Sequence, residues 1–460
     1  MLLEEIEKTA KIFRSIVKEK KVKILSQFDA DGISSASIIV KMLIRLDVNF
    51  ELRIYKQLTK GIIENLNIHE NDFLILVDFG SGQLDSLKKI LEKTHVLILD
   101  HHGFKQFSHI NLFHLNPLLF NEDEASSSII SYIFAKAVDI NNADLIDLAI
   151  TGAIGDEQEE RGELKGLAKK ILEEAEVLSK ITVTKGLRLY GRNSRPIHKA
   201  LEYSFDPFIP GISGSESNTI QFLSELGISV KTNEEWKKLS DLTLEEQQKL
   251  ASAIIVERLK TNHSYAEDIF GKNYTFLDKP EEFQDVREFT TLLNACGRLG
   301  RPDLGVKLCL NNFDSINEVW LVLDEYKKNI SDCMSLLREN KNIVTTTSTS
   351  TFLSSEGKIP ESLIGTITSI ALNSNLFDQS KPVFGFAETD DGRIKISARI
   401  SKNIKEINLR DIILYAAEKV GGEAGGHRHA AGAFIPKDKK HEFVRIIDSK
   451  LCETYGNKED

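Results

Sequence analysis

Residues 22–32 read VKILSQFDADG, and the fold turns on how they are read. Val22–Phe28 is a short apolar run, Asp29 and Asp31 close it, and Ile33–Leu46 continues with the spacing of a helix. The pattern recurs in Phe73–Asp78 (FLILVD) and His95–Asp100 (HVLILD), and more weakly in Arg53–Tyr55. Continuous apolar runs separated by helices predict parallel strands buried on both faces. An amphipathic helix over the first 21 residues precedes them. The chemistry of such a sheet gathers at the carboxyl ends of its strands, and here those ends carry aspartate.

From about Asp139 the pattern is mainly helical. Lys185–Lys199 (KGLRLYGRNSRPIHK) contains Lys185, Arg188, Arg192, Arg195 and Lys199 and no acidic residue; Pro207, Pro210, Gly211 and Gly214 mark a loop after it. Helical patterns resume to about Asn340. Thr345–Ser355 reads either as a flexible linker or as a β-branched strand opening the C-terminal region. That region returns to strand–helix alternation through IGTITSIAL, PVFGFAE and RIKISARI, and reaches a glycine-rich element at 421–432. No internal repeat is visible.

A chain of 460 residues has room for several domains, and its 41% hydrophobic and 28% charged residues are those of a globular protein. The formal charge of −10 excludes a uniformly basic, nucleic-acid-coating protein. A local basic channel stays open, because recognition depends on where charge sits. Cys296, Cys309, Cys333 and Cys452 form no C-x-x-C pair, so neither a zinc site nor a disulfide framework is indicated. The N-terminus lacks the apolar core of a signal peptide, and no stretch reaches the ~18 apolar residues of a membrane span. A soluble cytoplasmic protein with no membrane partner is expected.

Four acidic elements stand in order: Gln27–Gly32 (QFDADG), Asp78, Asp100-His101-His102, and Asp156 in GAIGDEQ. In an extended D-x-D both carboxylates share a face. Carboxylates converging on one sheet edge repel, and divalent cations are the usual remedy; mixed carboxylate and imidazole ligands suit Mn²⁺. Taken alone, a D-x-D-G is more often a turn or cap, and a strand-ending aspartate is a loop residue about as often as a ligand. All four together, each closing an apolar run or helix, carry the signal.

On these elements the chain resembles the DHH phosphoesterases, and within them the RecJ-like nucleases. Further matches are Gly425-Gly426-His427-Arg428-His429-Ala430-Ala431-Gly432, the strand Ser397-Ala398-Arg399, and Asn294-Ala295-Cys296-Gly297-Arg298. The last separates RecJ from the shorter oligonucleotide phosphodiesterases. Residues 195–214 look most like the archaeal, GINS-associated branch. The resemblance implies an α/β fold: an N-terminal parallel-sheet DHH catalytic domain at 1–184, a basic linker and mainly helical interdomain region at 185–344, and a DHH-associated α/β nucleic-acid-binding domain at 345–460, with a cleft between the lobes.

Carried over by position, the resemblance makes Asp78 the carboxylate bridging two divalent ions, Mn²⁺ favoured and Mg²⁺ allowed. Asp29 would join it at one ion, and Asp31, His101 and Asp156 would hold the other. Asp100 would orient a histidine, and His102 would contact the scissile phosphate. Gln27 departs from the family, which has His or Asp there; a neutral amide should bind the first ion more weakly. Asn294, Arg298, Ser397, Arg399, Gly425, Gly426, His427 and Arg428 would contact phosphates. Arg192 and Arg195 would line a single-strand track, although a basic stripe alone is usually a solvated face. Tyr190 and Tyr203 are placed to stack bases, yet tyrosines so placed are more often core.

The implied activity is metal-dependent exonucleolytic hydrolysis of single-stranded DNA, with RNA left open as a second substrate, 5′→3′ on RecJ similarity, in replication and repair. Two other readings stand beside it. One is a replisome scaffold that binds the GINS complex beside the replicative helicase and has weak nuclease activity. The other is a phosphodiesterase of short oligonucleotides or cyclic dinucleotides, which the extra residues between the domains argue against.

Overall fold

The computed structural model describes residues 1–456 except 124, 161, 205–206, 261–265, 356, 375 and 402–403. Phe205 and Asp206, within the segment read above as archaeal in type, lie outside the described residues. The chain forms two compact units, Met1–Arg188 with Phe270–Leu323, and Leu189–Ile269 with Asp324–Asp460. Among the described residues, no helix is long and apolar enough to cross a membrane.

In the first unit the apolar runs become strands β1 (Lys21–Gln27), β2 (Phe50–Tyr55), β3 (Asp72–Val77), β4 (Val96–Leu99) and β5 (Leu112–Leu115). They form one parallel sheet in the order β2-β1-β3-β4-β5. β3 and β4 are buried at every position, which is why they read as unbroken apolar runs. The strand order reverses direction between β1 and β3, so the loops after these two strands diverge and leave a crevice at their carboxyl ends. Register sharpens this. Ser26, Val77, Leu99 and Leu115 pair across four strands, which puts the next residues, Gln27, Asp78, Asp100 and Asn116, in one row along the edge.

Helix α1 (Leu2–Ile16) buries Leu2, Ile6, Ala10 and Phe13, and the Phe13 ring meets Phe73 and Phe134 edge-on at 5.2 and 5.3 Å. Helix α2 (Ala30–Arg45) starts directly after β1 with Asp29 as its N-cap, the carboxylate accepting from Gly32 N at 3.0 Å. Nearly all of α2 is buried, packed on α3 (Ser127–Val138) and α4 (Ile146–Gly155). The region after Asp139 also contains an antiparallel pair, Ile181–Leu187 with Phe270–Phe276, which the helical pattern had concealed.

Helix Val286–Arg298 returns to the first unit and lies on the start of α2. Its Asn294 Oδ1 accepts from Ala30 N at 3.0 Å. The approach is close enough to demand glycine: a Cβ on Gly297 would lie 1.7 Å from the Phe28 carbonyl oxygen. Cys296 and Cys309 are buried, and burial pushes both thiols up to about 12, which disfavours the thiolate.

The second unit contains a six-stranded sheet in the order Val344–Thr346, Thr351–Ser354, Val383–Glu388, Arg393–Arg399, Ala430–Pro436, Glu423–Gly426. Only the Thr351–Ser354 and Val383–Glu388 pairing is parallel. The 345–355 stretch is thus a strand pair, and IGTITSIAL is a helix, Ile364–Asn373. Helices Leu409–Lys419 and Lys440–Gly456 cover a core that includes Phe352, Phe384, Phe386, Ile396, Ile435 and Phe443.

Gly297→Ala drives a methyl into the backbone that precedes Asp29. It should destabilise the protein by about 1–3 kcal/mol, as overpacking does, and shift the midpoint of urea unfolding down without changing its slope.

Candidate functional site

The row at the sheet edge places the acidic elements together. Asp31, Asp78, Asp100 and His101 are each 2% exposed or less. Asp78 leaves β3 in the left-handed region, φ 61°. That conformation costs a non-glycine residue about 1–2 kcal/mol, and here it accompanies a carboxylate aimed at β1. Asp78 Oδ1 accepts from Ser127 Oγ at 3.0 Å and lies 3.4 Å from His101 Nε2. Asp31 Oδ2 and Oδ1 accept from the backbone amides of Ser127 and Ser128 at 2.8 and 3.0 Å, so the N-terminus of α3 holds this carboxylate. Gly152 makes room for it: a Cβ there would stand 2.4 Å from Asp31 Oδ1.

Burial pushes Asp31 up, opposed by His101 and reinforced by Asp29. Burial likewise raises Asp78 well above the usual carboxylate range, with repulsion from Asp31 and Asp29 adding to it. Ligand atoms of Asp31, Asp78 and His101 all lie within 4.8 Å of one another. Two carboxylates made costly by burial, beside an imidazole at this range, could hold a divalent cation. Bound there, a cation would offset the burial and the repulsion that raise both.

Asp100 is arranged otherwise. Burial raises it, but the charge and hydrogen bond of His102, together with His101 and the Ser81 amide, outweigh burial and hold the carboxyl well below the usual range. Its Oδ1 accepts from His102 Nδ1 at 2.7 Å and from the amides of His101 and His102, and Oδ2 accepts from Ser81 N. The bond at Nδ1 places the other ring nitrogen of the half-buried His102 on the opposite edge of the ring. Asp156 meets His101 from the Nδ1 side, Oδ2 at 3.6 Å, across the ring from Asp31 and Asp78. Asp29 stands beside Gln27. With its amide nitrogen turned toward them, Gln27 donates to Asp29 Oδ2 and Asp78 Oδ2 at 2.8 Å each; the reverse orientation would set oxygen against oxygen.

Several residues of this network escaped the sequence reading. Ser81 Oγ lies 2.8 Å from His114 Nε2, and Asn116 donates to Ser81 Oγ and to the His102 carbonyl. Only the serine run 126–128 before an apolar helical stretch carried a visible signal, that of an N-cap.

Of the other singled-out residues, Asn294 and Arg298 lie in the first unit on the helix that backs α2. Lys185 and Arg188 of the basic stripe also lie in the first unit, and the remaining candidate phosphate and base contacts lie in the second. Ser397, Gly432 and Gly425 share one register row, and Arg399 Nε donates to Ser369 Oγ at 2.9 Å and Nη1 to Ser397 Oγ at 3.1 Å. The glycine-rich element is a hairpin. Gly426 turns it at φ 128°, His427 N donates to Ala430 O at 2.8 Å, and Arg428 donates to the Lys405 carbonyl at the tip. Nothing lies within 4 Å of a Cβ built on Gly425, so that backbone is open. Arg195 lies over the Tyr190 and Tyr203 rings at 5.7 and 5.6 Å, and the Arg192 carbonyl accepts from Ser240 N.

A parallel sheet with buried carboxylates and imidazoles at its switch point, accompanied by a mixed-sheet unit presenting a Ser-x-Arg strand and a glycine hairpin, defines a two-unit α/β protein with a candidate metal site. The DHH family N-terminal domain matches residues 21–153, the DHH-CID domain 189–269 and the DHHA1 domain 356–453. An uncharacterized protein of Methanocaldococcus jannaschii is 32% identical over 98% of both chains. The chain belongs to the DHH family. Among solved structures, RecJ of Thermus thermophilus in complex with Mn²⁺ is similar at a TM-score of 0.58 and 16% identity, over 98% of this chain and 55% of that one. CDC45 of Entamoeba histolytica is similar at 0.65 and 12% identity, over 97% and 98%. The chain thus spans about half the length of that RecJ.

Burial lowers the partly buried His114 to about 4 from 6.5, with Asp100 opposing. The unfolded chain therefore takes up a proton first on acidification, and stability present above pH 6.5 is lost as pH falls toward 4. Urea titrations at pH 7 and 4.5 should show that loss reduced in His114→Gln by on the order of 1–3 kcal/mol relative to the native chain.

Proposed function

We propose that the protein is a divalent-metal-dependent hydrolase of phosphodiester bonds that degrades single-stranded nucleic acid from an end. The observation that carries this reading is the Asp31–Asp78–His101 cluster, buried at the switch point with both carboxylates raised. In this reading Asp31, Asp78 and His101 hold the cation, with Mn²⁺ preferred to Mg²⁺ for its mixed ligands. A bound divalent cation supplies the Lewis acidity and charge that attack at phosphorus requires. Asp100 fixes the tautomer and orientation of His102, whose opposite edge then donates to a phosphate oxygen. Asn294 ties the first turn of α2, and hence Asp29 and Asp31, to the helix behind it. In the second unit, Arg399, held by Ser369 and Ser397, and the open Gly425 backbone bind the phosphates of the strand. Arg195 with Tyr190 and Tyr203 supplies a cation and ring faces against which bases stack.

Single-stranded DNA and RNA, each labelled separately at its 5′ and 3′ ends, will report activity and direction under Mn²⁺ and Mg²⁺ titration. Asp78→Asn should bring Mn²⁺-dependent degradation to background while the protein keeps its fold by circular dichroism. Undiminished degradation by that variant would sink the assignment.

Gln27 at the first ligand position and the likeness to the CDC45 fold over nearly the whole of both chains favour a second reading. In it the protein is a scaffold that binds GINS beside the replicative helicase and hydrolyses slowly. Co-purification with GINS in both directions is expected on this reading. Its absence, together with rapid strand degradation, would leave the enzyme reading alone.

A further inference from the structure

The resemblance implies two cations, but position 27 is occupied in a way that leaves room for one. Gln27, Asp78 and Asp100 succeed one another in a single row across the sheet edge. The Gln27 amide faces Asp29 Oδ2 and Asp78 Oδ2 at 2.8 Å each, and only with its nitrogen turned inward does it make hydrogen bonds there in place of two oxygen–oxygen contacts. A primary amide has two N–H donors, and each here meets one carboxylate oxygen. This is the place where a ligand at position 27, Asp29 and Asp78 would otherwise enclose an ion. An imidazole or carboxylate at 27 would offer a lone pair to such an ion. The amide offers hydrogens to the two carboxylates instead. To admit a cation there, the side chain must give up both charge-assisted hydrogen bonds and present a neutral carbonyl oxygen, a weak ligand.

The other candidate trio that lies wholly within the first unit is already used internally. Asp78, Asp100 and His102 also bring ligand atoms within 4.8 Å. Yet Asp100 accepts from His102 Nδ1, two histidine amides and the Ser81 amide, which engages both of its oxygens. The remaining group, Asp31, Asp78 Oδ1 and His101 Nε2, is the one whose atoms face one another, at 3.4 and 4.0 Å from the imidazole nitrogen.

We infer that Gln27 takes the place of one of the two cations, clamping Asp29 to Asp78 by hydrogen bonds, so that the site holds a single divalent ion on Asp31, Asp78 and His101. Asp29 is then an N-cap and hydrogen-bond acceptor, not a ligand. This rests on the metal-dependent reading above and deepens it. Hydrolysis at such a site relies on one ion with His102.

Titration of the full-length protein with Mn²⁺, monitored by calorimetry and electron paramagnetic resonance, tests it without reference to activity. The native chain should bind one Mn²⁺ and give the spectrum of an isolated ion. Gln27→His should bind two and give an exchange-coupled pair, and Gln27→Asp is the second variant should the first fail to fold. Asp29→Asn, which preserves the cap, should leave the stoichiometry at one. Two ions in the native chain, or one in both folded Gln27 variants, would overturn the inference and leave the metal-dependent reading standing. No bound Mn²⁺ in the native chain would overturn both.

Discussion

The structure of the first unit depends on keeping negative charge where water cannot reach it. Asp31, Asp78 and Asp100 are all within 2% of full burial at one edge of one sheet, and desolvation alone makes each costly to ionise. Each is answered by a different set of polar groups. Asp100 has an imidazole and three backbone amides. Asp31 has the N-terminus of α3. Asp78 has the Ser127 hydroxyl and the His101 imidazole, which do not offset burial and the repulsion of Asp31 and Asp29, so it is raised well above its ordinary range. The least compensated carboxylate is the central one. That ordering is what a cation site requires, since the ion then finds its strongest attraction at the middle of the row.

Backbone geometry is subordinate to the same requirement. The chain accepts a left-handed aspartate at the end of β3, and two helices come close enough that glycine is demanded at Gly152 and Gly297. Helix Val286–Arg298 therefore works at a distance from its place in the sequence: it returns after more than a hundred residues to brace the turn that carries Asp29 and Asp31. The second unit shows a comparable arrangement. Arg399 is held by two serines on small-residue surroundings, and the adjacent hairpin exposes a bare glycine backbone. A rigid guanidinium beside open amides is a suitable surface for an anion with several oxygens.

The strands were legible because burial on both faces leaves an unbroken apolar run, as at Phe73–Val77, and because each run stops at an aspartate. Register turned those stops into a row, and pattern alone could not supply register. The strand pair at Ile181–Leu187 and Phe270–Phe276 was hidden because its partners lie more than eighty residues apart, and period-two alternation in Ile181–Leu187 is interrupted by lysine and glycine. Ser81, His114 and Asn116 were illegible for another reason. Each is an ordinary polar residue whose role is set by a tertiary contact, and nothing local marks it. Gln27 was visible as a departure, but whether its amide ligates or donates depends on which atoms face it.

The two readings of function differ in what they ask of this buried charge. A scaffold that only presents surfaces gains nothing from a cluster of desolvated carboxylates, since well-packed apolar residues of the same volume are as stable or more so. Yet the first unit retains the cluster, adds backbone strain at Asp78, and sets His102 in a fixed tautomer through Asp100. These features cost folding energy and give no packing in return. They are explicable if a cation and a phosphate come to the site, because both then offset the desolvation through attraction that a dry environment strengthens. The CDC45-like fold is compatible with a binding role alongside this chemistry, but the sheet edge itself is organised for charge. Even the net charge of −10 fits that organisation: part of the acidic excess is turned inward, around the candidate cation site.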